Sequence, residues 1–263
     1  MDFKAIFSIA KKEFIDNFRN KWIIILSIVF AILVMIISYF GSQGFGQDWS
    51  SLEGTISGLE GIVTLIIPII SLMLGYAAIV GEIEKGSMSS LLALSVNRCE
   101  IVIGKFLGLG SVICSTILIG FGISGIIIAI NVPSSDYIPY LSFIGLSILL
   151  GLAFLSVSIF FSTLFKKRSA AMGGAFFLWF FFAIIWQIIL VGILFATIMS
   201  GEITESTSMP GWFFPFLLAN PLMVFSAAGF PDAPSVYWRI LSPILWIIIP
   251  LLLTFLRFEK KDI

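Results

Sequence analysis

Residues Ile62–Val80 read IVTLIIPIISLMLGYAAIV, and the chain continues GEIEKGSMSSLLALSVNRCEIVIGKF through Gly81–Phe106. The first stretch holds no charged residue, and the second opens on three charges within five positions. An apolar run of this length fits a helix crossing a bilayer, where ~20 residues at ~1.5 Å each cover ~30 Å of hydrocarbon. The charges that follow mark its emergence into water. Five further stretches repeat the pattern: Trp22–Phe40, Phe106–Ile130, Tyr140–Phe165, Met172–Ser200 and Ile240–Leu256. None carries Asp, Glu, Lys or Arg in its interior, and a central charge would cost roughly 2.5–3.5 kcal/mol on insertion. The fold class expected is all-α, a six-helix polytopic membrane protein.

Composition agrees. Of 263 residues, 59% are hydrophobic and 11% charged, against about 45–50% and roughly 25% in soluble domains. Net charge is zero, so no global excess points to nucleic acid. Histidine is absent, which removes His-based zinc sites and His-based acid–base or nucleophilic chemistry. Cys99, in a basic connection, and Cys114, in an apolar run, read as two reduced thiols. Residues 1–21 are too charged for a signal-peptide n-region, and the apolar run after them ends without an A-x-A site.

The charges set direction. Fourteen of the fifteen Lys and Arg lie before the first run, between the second and third, between the fourth and fifth, or after the sixth. Arg239 is the exception, while acidic residues divide almost evenly. Lys and Arg, and not net charge, mark cytoplasmic connections, so both termini are expected in the cytoplasm. Gly211–Phe230 (GWFFPFLLANPLMVFSAAGF) is a rival seventh run. As a span it would move the basic C-terminus outside, and Pro215 and Pro221 interrupt it. It reads instead as one or two short helices within an outer interfacial segment, residues 202–239.

Residues 3–18 alternate an apolar stripe (Phe3, Phe7, Ala10, Phe14, Phe18) with Lys4, Lys11, Lys12, Glu13 and Asp16, as expected of a helix lying in the membrane surface. In residues 81–105, Leu91, Leu92 and Leu94 form an apolar patch that a solvated loop does not need. It fits either a short helix docked on another protein or a cover over neighbouring helix ends. Gly86 is placed to end the second helix. Pairs of small residues (Gly104 and Gly108, Gly120 and Ser124, Ser147 and Gly151, Gly173 and Gly174) suit close helix packing. At membrane depth Gln187 stands among apolar neighbours. Such a group is a candidate for a substrate path or an interhelical hydrogen bond. No G-x-x-x-x-G-K-[ST] loop occurs, since Phe106 follows Gly104-Lys105. ATP binding by that route, and a metal or protease site in this chain, are not expected.

Several elements together resemble the membrane subunit of type-2 ABC transporters. They are Glu82-Ile-Glu-Lys-Gly86-Ser87, Leu91-Leu92, Ser95-Val96-Asn97-Arg98 and Gly104-Lys105-Phe106-Leu107-Gly108. The opening Lys11-Lys12-Glu13-Phe14 with Arg19-Asn20-Lys21-Trp22 is similar to that family's elbow helix, and Leu218-Ala219-Asn220-Pro221 to its element before the last span. Val80–Met88 is most like the permeases that serve nitrous-oxide reductase maturation, although Ala77 stands where that subgroup tends to carry an acid.

The resemblance implies an elbow helix at 1–21 and a six-helix domain at 22–263. It implies a homodimer on two ATPase subunits that hold ATP and Mg, in the cytoplasmic membrane of a prokaryote, moving substrate outward. Residues 81–105 would carry the coupling helix, with Glu82, Glu84, Lys85, Gly86, Ser87, Leu91, Leu92 and Arg98 at the docking site. Glu82 and Glu84 would be able to pair with a partner's arginines, and Gln187 and Asn220 would be candidates along a substrate path. The alternatives are a subunit that transmits force to an extracytoplasmic partner (metalloenzyme maturation involving copper or sulfur), or an ATP-independent channel or scaffold.

Overall fold

The computed structural model describes residues 2–42, 52–88, 96–131, 136–199, 213–225 and 236–259, all in helices and the turns between them. Among the described residues, six helices are long and apolar enough to cross a membrane. Span one is Lys21–Ser42, span two Leu52–Gly75 with its continuation Val80–Glu84, and span three Arg98–Asn131. Span four is Ile138–Leu164, span five runs from Arg168 to Met199, and span six is Val236–Glu259. An amphipathic helix, Phe3–Phe18, precedes them.

The spans extend past the apolar runs, and several helix starts are capped by side chains there. Asp2 caps the N-terminal helix, its carboxylate accepting from Lys4 N at 2.9 Å. Asn20 Oδ1 accepts from Trp22 N at 3.1 Å and starts span one. Asp136 Oδ1 accepts from Ile138 N at 2.8 Å where span four begins. Span three begins at Arg98, so Cys99 lies in a helical first turn and not in a loop; it is exposed and unbridged.

Within Gly211–Phe230, the described residues 213–225 do not form a seventh span. Phe213–Leu218 is a short helix, the chain turns at Ala219–Asn220, and Pro221–Val224 is one 3₁₀ turn.

Spans two and four are the most buried. The aromatic core joins span one to the 3₁₀ turn: Phe30 meets Phe121 edge-on at 5.6 Å, Phe121 meets Phe143, and Phe143 meets Phe225 at 5.2 Å. Tyr140 Oη donates to the Phe121 carbonyl at 2.7 Å. Without water at this depth, each backbone polar group must find a partner inside the protein. Span six carries Pro243 and Pro250, and its Ile247 carbonyl accepts from Ser156 of span four at 2.7 Å.

The small-residue pairs differ in their partners. A Cβ on Gly120 would lie 2.8 Å from Phe30, and Ser124 hydrogen-bonds Ser38, so this pair seats span one. Gly151 faces Ile113 and Ile67. Gly104 and Gly108 receive no span at all but the N-terminal helix. Gly173 has open space around it, and Gly174 faces Phe161 and Phe165. Of the last pair, Gly174 alone brings a second long helix close, since Phe161 belongs to span four.

Candidate functional site

Both described ends of the chain and the described parts of the span-two-to-three connection, residues 80–88 and 96–97, gather at one end of the bundle. Lys105 stands there in the second turn of span three. Its side chain is 2% exposed and Nζ donates to Glu13 Oε1 at 2.6 Å and to Glu82 Oε1 at 2.7 Å. Lys12 Nζ lies 3.9 Å from the same Glu82 oxygen. Glu82 Oε2 is buried and accepts no hydrogen bond among the described residues. One ammonium thus joins the N-terminal helix, the helix Val80–Glu84 and the base of span three. Charges this buried persist only when paired and hydrogen-bonded.

The geometry follows from the glycines beside Lys105. A Cβ on Gly104 would fall 2.8 Å from Ile9, and one on Gly108 2.5 Å from the Ala10 carbonyl oxygen. Bare backbone at both positions lets the N-terminal helix lie directly on span three. Ile6 (7% exposed) and Glu13 face inward, whereas Phe3 and Phe7 remain 82% and 70% exposed. Phe3, Phe7 and Phe18 are therefore free for the bilayer surface, while Ala10 and Phe14 of the same stripe turn toward the protein.

A second ion pair closes the other side. Glu84 Oε2 meets Arg168 Nε at 2.6 Å, and Glu84 Oε1 accepts from Arg168 N at 2.9 Å. Glu82 and Glu84 are thus both engaged within the chain. Lys85 caps Val80–Glu84, and Gly86 follows with φ +71°, a left-handed conformation that favours glycine. Ser87 Oγ donates to the Glu82 carbonyl at 3.3 Å. Arg98 donates to the Phe258 and Glu259 carbonyls at 2.6 and 3.1 Å and lies over the Phe258 ring. Glu100 accepts from Asp2 N at 2.6 Å and Asn97 N at 3.0 Å. Leu91, Leu92 and Leu94 lie outside the described residues.

At the opposite end Asn220 is fully buried, yet not open to a path. Its Nδ2 donates to the Phe182 carbonyl at 2.9 Å and its Oδ1 accepts from Leu222 N at 2.9 Å. Phe182 sits in a single π turn, Phe181–Ile185, inside span five. A π turn breaks the regular i→i−4 ladder, and the Asn220 amide gives the Phe182 carbonyl a partner. Gln187 Nε2 reaches Met223 Sδ at 3.5 Å. Ser242 Oγ donates to the Leu218 carbonyl and Trp246 Nε1 to Ala219 at 3.1 Å. The segment 213–225 is thereby fastened between spans five and six. Asn220→Ala is expected to lower the stability of the purified protein by about 1–3 kcal/mol, by orphaning two buried groups. A thermal midpoint equal to that of the natural chain would contradict this. Beside the segment runs an apolar crevice of about 940 Å³ between spans four and six, with no charged side chain in its lining.

This helical plan also has relatives. The model of the ABC-2 family transporter proteins matches residues 7–263. The chain belongs to the ABC-2 transporter family. Two proteins named as probable ABC transporter permease protein NosY are similar to it. That of Pseudomonas aeruginosa is 37% identical over 195 residues, covering 72% of this chain and 71% of its own. That of Stutzerimonas stutzeri is 30% identical over 280 residues, covering 97% and 98%. This ABC-2 chain is a multi-pass membrane permease subunit of an ABC transporter.

Neither Glu13 nor Lys105 stood out in the sequence as a site residue. Glu13 read as one polar position on an amphipathic helix, and Lys105 as one of the basic residues flanking span three. The available signal was Lys105 beside Gly104, one of two glycines spaced for close packing, where a charge is costly unless paired.

Proposed function

We propose that this ABC-2 permease works as a homodimer on two copies of a separate ATPase subunit, which hold ATP and Mg. The termini and residues 81–105 face the cytoplasm of a prokaryotic cell, and substrate moves outward across the cytoplasmic membrane. The chain performs no covalent chemistry; its work is to change access across the bilayer when the ATPases close.

The observation that carries this reading is the Glu13–Lys105–Glu82 cluster. A push on the span-two-to-three connection would reach the N-terminal helix and span three together, because one buried ammonium holds all three. Leu91 and Leu92 supply the apolar contact for the ATPase groove. Packed elements pass on such movements by small rigid shifts.

The test is affinity purification of the tagged chain from native membranes in mild detergent, together with a Leu92→Asp variant. Recovery of a phosphate-loop ATPase in equal amount is expected. The Asp variant should insert normally but recover that ATPase at least tenfold less. Recovery of the chain alone, under conditions that preserve a control complex, would sink the proposal in favour of a channel or scaffold.

A second reading has one observation in its favour. Gln187 and Asn220, the candidate path residues, both bond within the chain. This suits a subunit that passes force to an extracytoplasmic partner, as in metalloenzyme maturation involving copper or sulfur. An extracytoplasmic protein recovered with the ATPase would favour it.

A further inference from the structure

Span two is not one helix. Leu52–Gly75 ends at its glycine, four residues turn, and Val80–Glu84 resumes. Nothing in Tyr76-Ala77-Ala78-Ile79 demands a break: no proline or glycine lies among them. The cause lies across the interface, in span four. Ser162 Oγ accepts from both Ile79 N at 2.9 Å and Val80 N at 3.0 Å. One turn away, Ser158 Oγ donates to the Leu72 carbonyl at 2.9 Å. A Cβ on Gly75 would meet the Ser158 Cβ at 2.7 Å, so the two spans touch closely just where the helix stops. Both serines are fully buried. Ile79, the N-cap of the resumed helix, has no side-chain acceptor to offer its first amides; Ser162 performs the capping from another span.

The two halves of span two also have different attachments. Val80–Glu84 is tied by Glu82 to Lys105 and Glu13 and by Glu84 to Arg168. Leu52–Gly75 lies against spans one and four. The resumed helix therefore belongs mechanically to the ion-paired base, and the long helix to the membrane bundle.

We infer that Ser162 is a positioning residue for coupling. It holds the amides of Ile79 and Val80 at a hinge, residues 76–79, about which the membrane part of span two moves while Val80–Glu84 stays with the base. This inference rests on the coupling role proposed above. A hydroxyl suits the task, because it accepts two amide hydrogens at once and gives up either without leaving a charge.

The test is hydrogen–deuterium exchange on the complete chain with its co-purified ATPase in lipid nanodiscs, without nucleotide and after trapping with ADP and vanadate. The amides of residues 76–82 are expected to exchange at least tenfold faster in one state than in the other. Residues 66–74 and 100–108 should change little. In Ser162→Ala the 76–82 amides should be fast in both states, with the ATPase still turning over. Ser162→Thr, which keeps the oxygen, should restore the difference. Equal exchange at 76–82 in both states of the natural complex would overturn the inference, as would unchanged protection in Ser162→Ala. Failure to recover any ATPase would instead remove the coupling role. Exchange measured on the chain alone would then still decide whether Ser162 holds the two amides.

Discussion

Lys105→Met is expected to destabilise the permease by roughly 3–5 kcal/mol, the cost of removing one member of a buried ion pair. The substitution preserves the length of the stem but leaves Glu13 and Glu82 facing each other without a counter-charge. Lys12, 3.9 Å from Glu82 and on an exposed side chain, compensates little. The thermal midpoint of the purified chain should fall by on the order of 10 °C. ATP hydrolysis by the assembled complex should lose its link to movement in the spans, since the N-terminal helix and the connection no longer share an anchor. The triple variant Glu13→Gln, Lys105→Met, Glu82→Gln, which buries no net charge, should recover most of the stability but not the coupling. A Lys105→Met protein as stable as the natural one would show that the cluster holds nothing together.

The second large effect is expected at Gly108. A Cβ there lands 2.5 Å from the Ala10 carbonyl oxygen and 2.8 Å from the Glu13 Cβ, and backbone cannot swing aside as a side chain can. Gly108→Leu exceeds the overpacking that costs about 1–3 kcal/mol in a yielding core, so the N-terminal helix should leave its seat. Ile6→Cys reads this out, because Ile6 is buried only while the helix is docked. Maleimide labelling of that cysteine should rise at least tenfold in the Gly108→Leu background. Gly122, with open space around it, is the control: Gly122→Leu should leave labelling unchanged. Protected labelling in both would mean that the helix is not held by this contact.

The six spans were legible because hydrocarbon imposes a length and a composition on every one of them. The kinked segment at 213–225 was legible through Pro215 and Pro221. What could not be read were the features that depend on distant partners. Gly104 and Gly108 announced a close approach but not that an amphipathic helix would make it. Glu13, Glu82 and Lys105 are ordinary in their own neighbourhoods, and only the fold brings them to one point. The break at 76–79 follows Gly75, but its cap belongs to Ser162 of another span and could not be read locally. The π turn at Phe181–Ile185 likewise has no signature in an unbroken apolar run. Asn220 bonds the Phe182 carbonyl and the Leu222 amide, and Gln187 Nε2 reaches Met223 Sδ, partners that likewise come from distant or irregular segments.

The first turn of span three also imposes an order on synthesis. Asp2 bonds Glu100, 98 positions later, and Arg98 bonds the Phe258 carbonyl, 160 positions later. A chain made from its N-terminus must therefore hold its first helix undocked until the third span has emerged. The same turn receives span six only after Phe258 has been made. One end of one helix thus serves as the meeting place for residues made before the first span and residues of the sixth, and a ribosome that stalls before Phe258 leaves Arg98 without these carbonyls. Such a stalled chain would be distinguishable at this turn from one extended past Glu259, although its earlier spans lie in the bilayer.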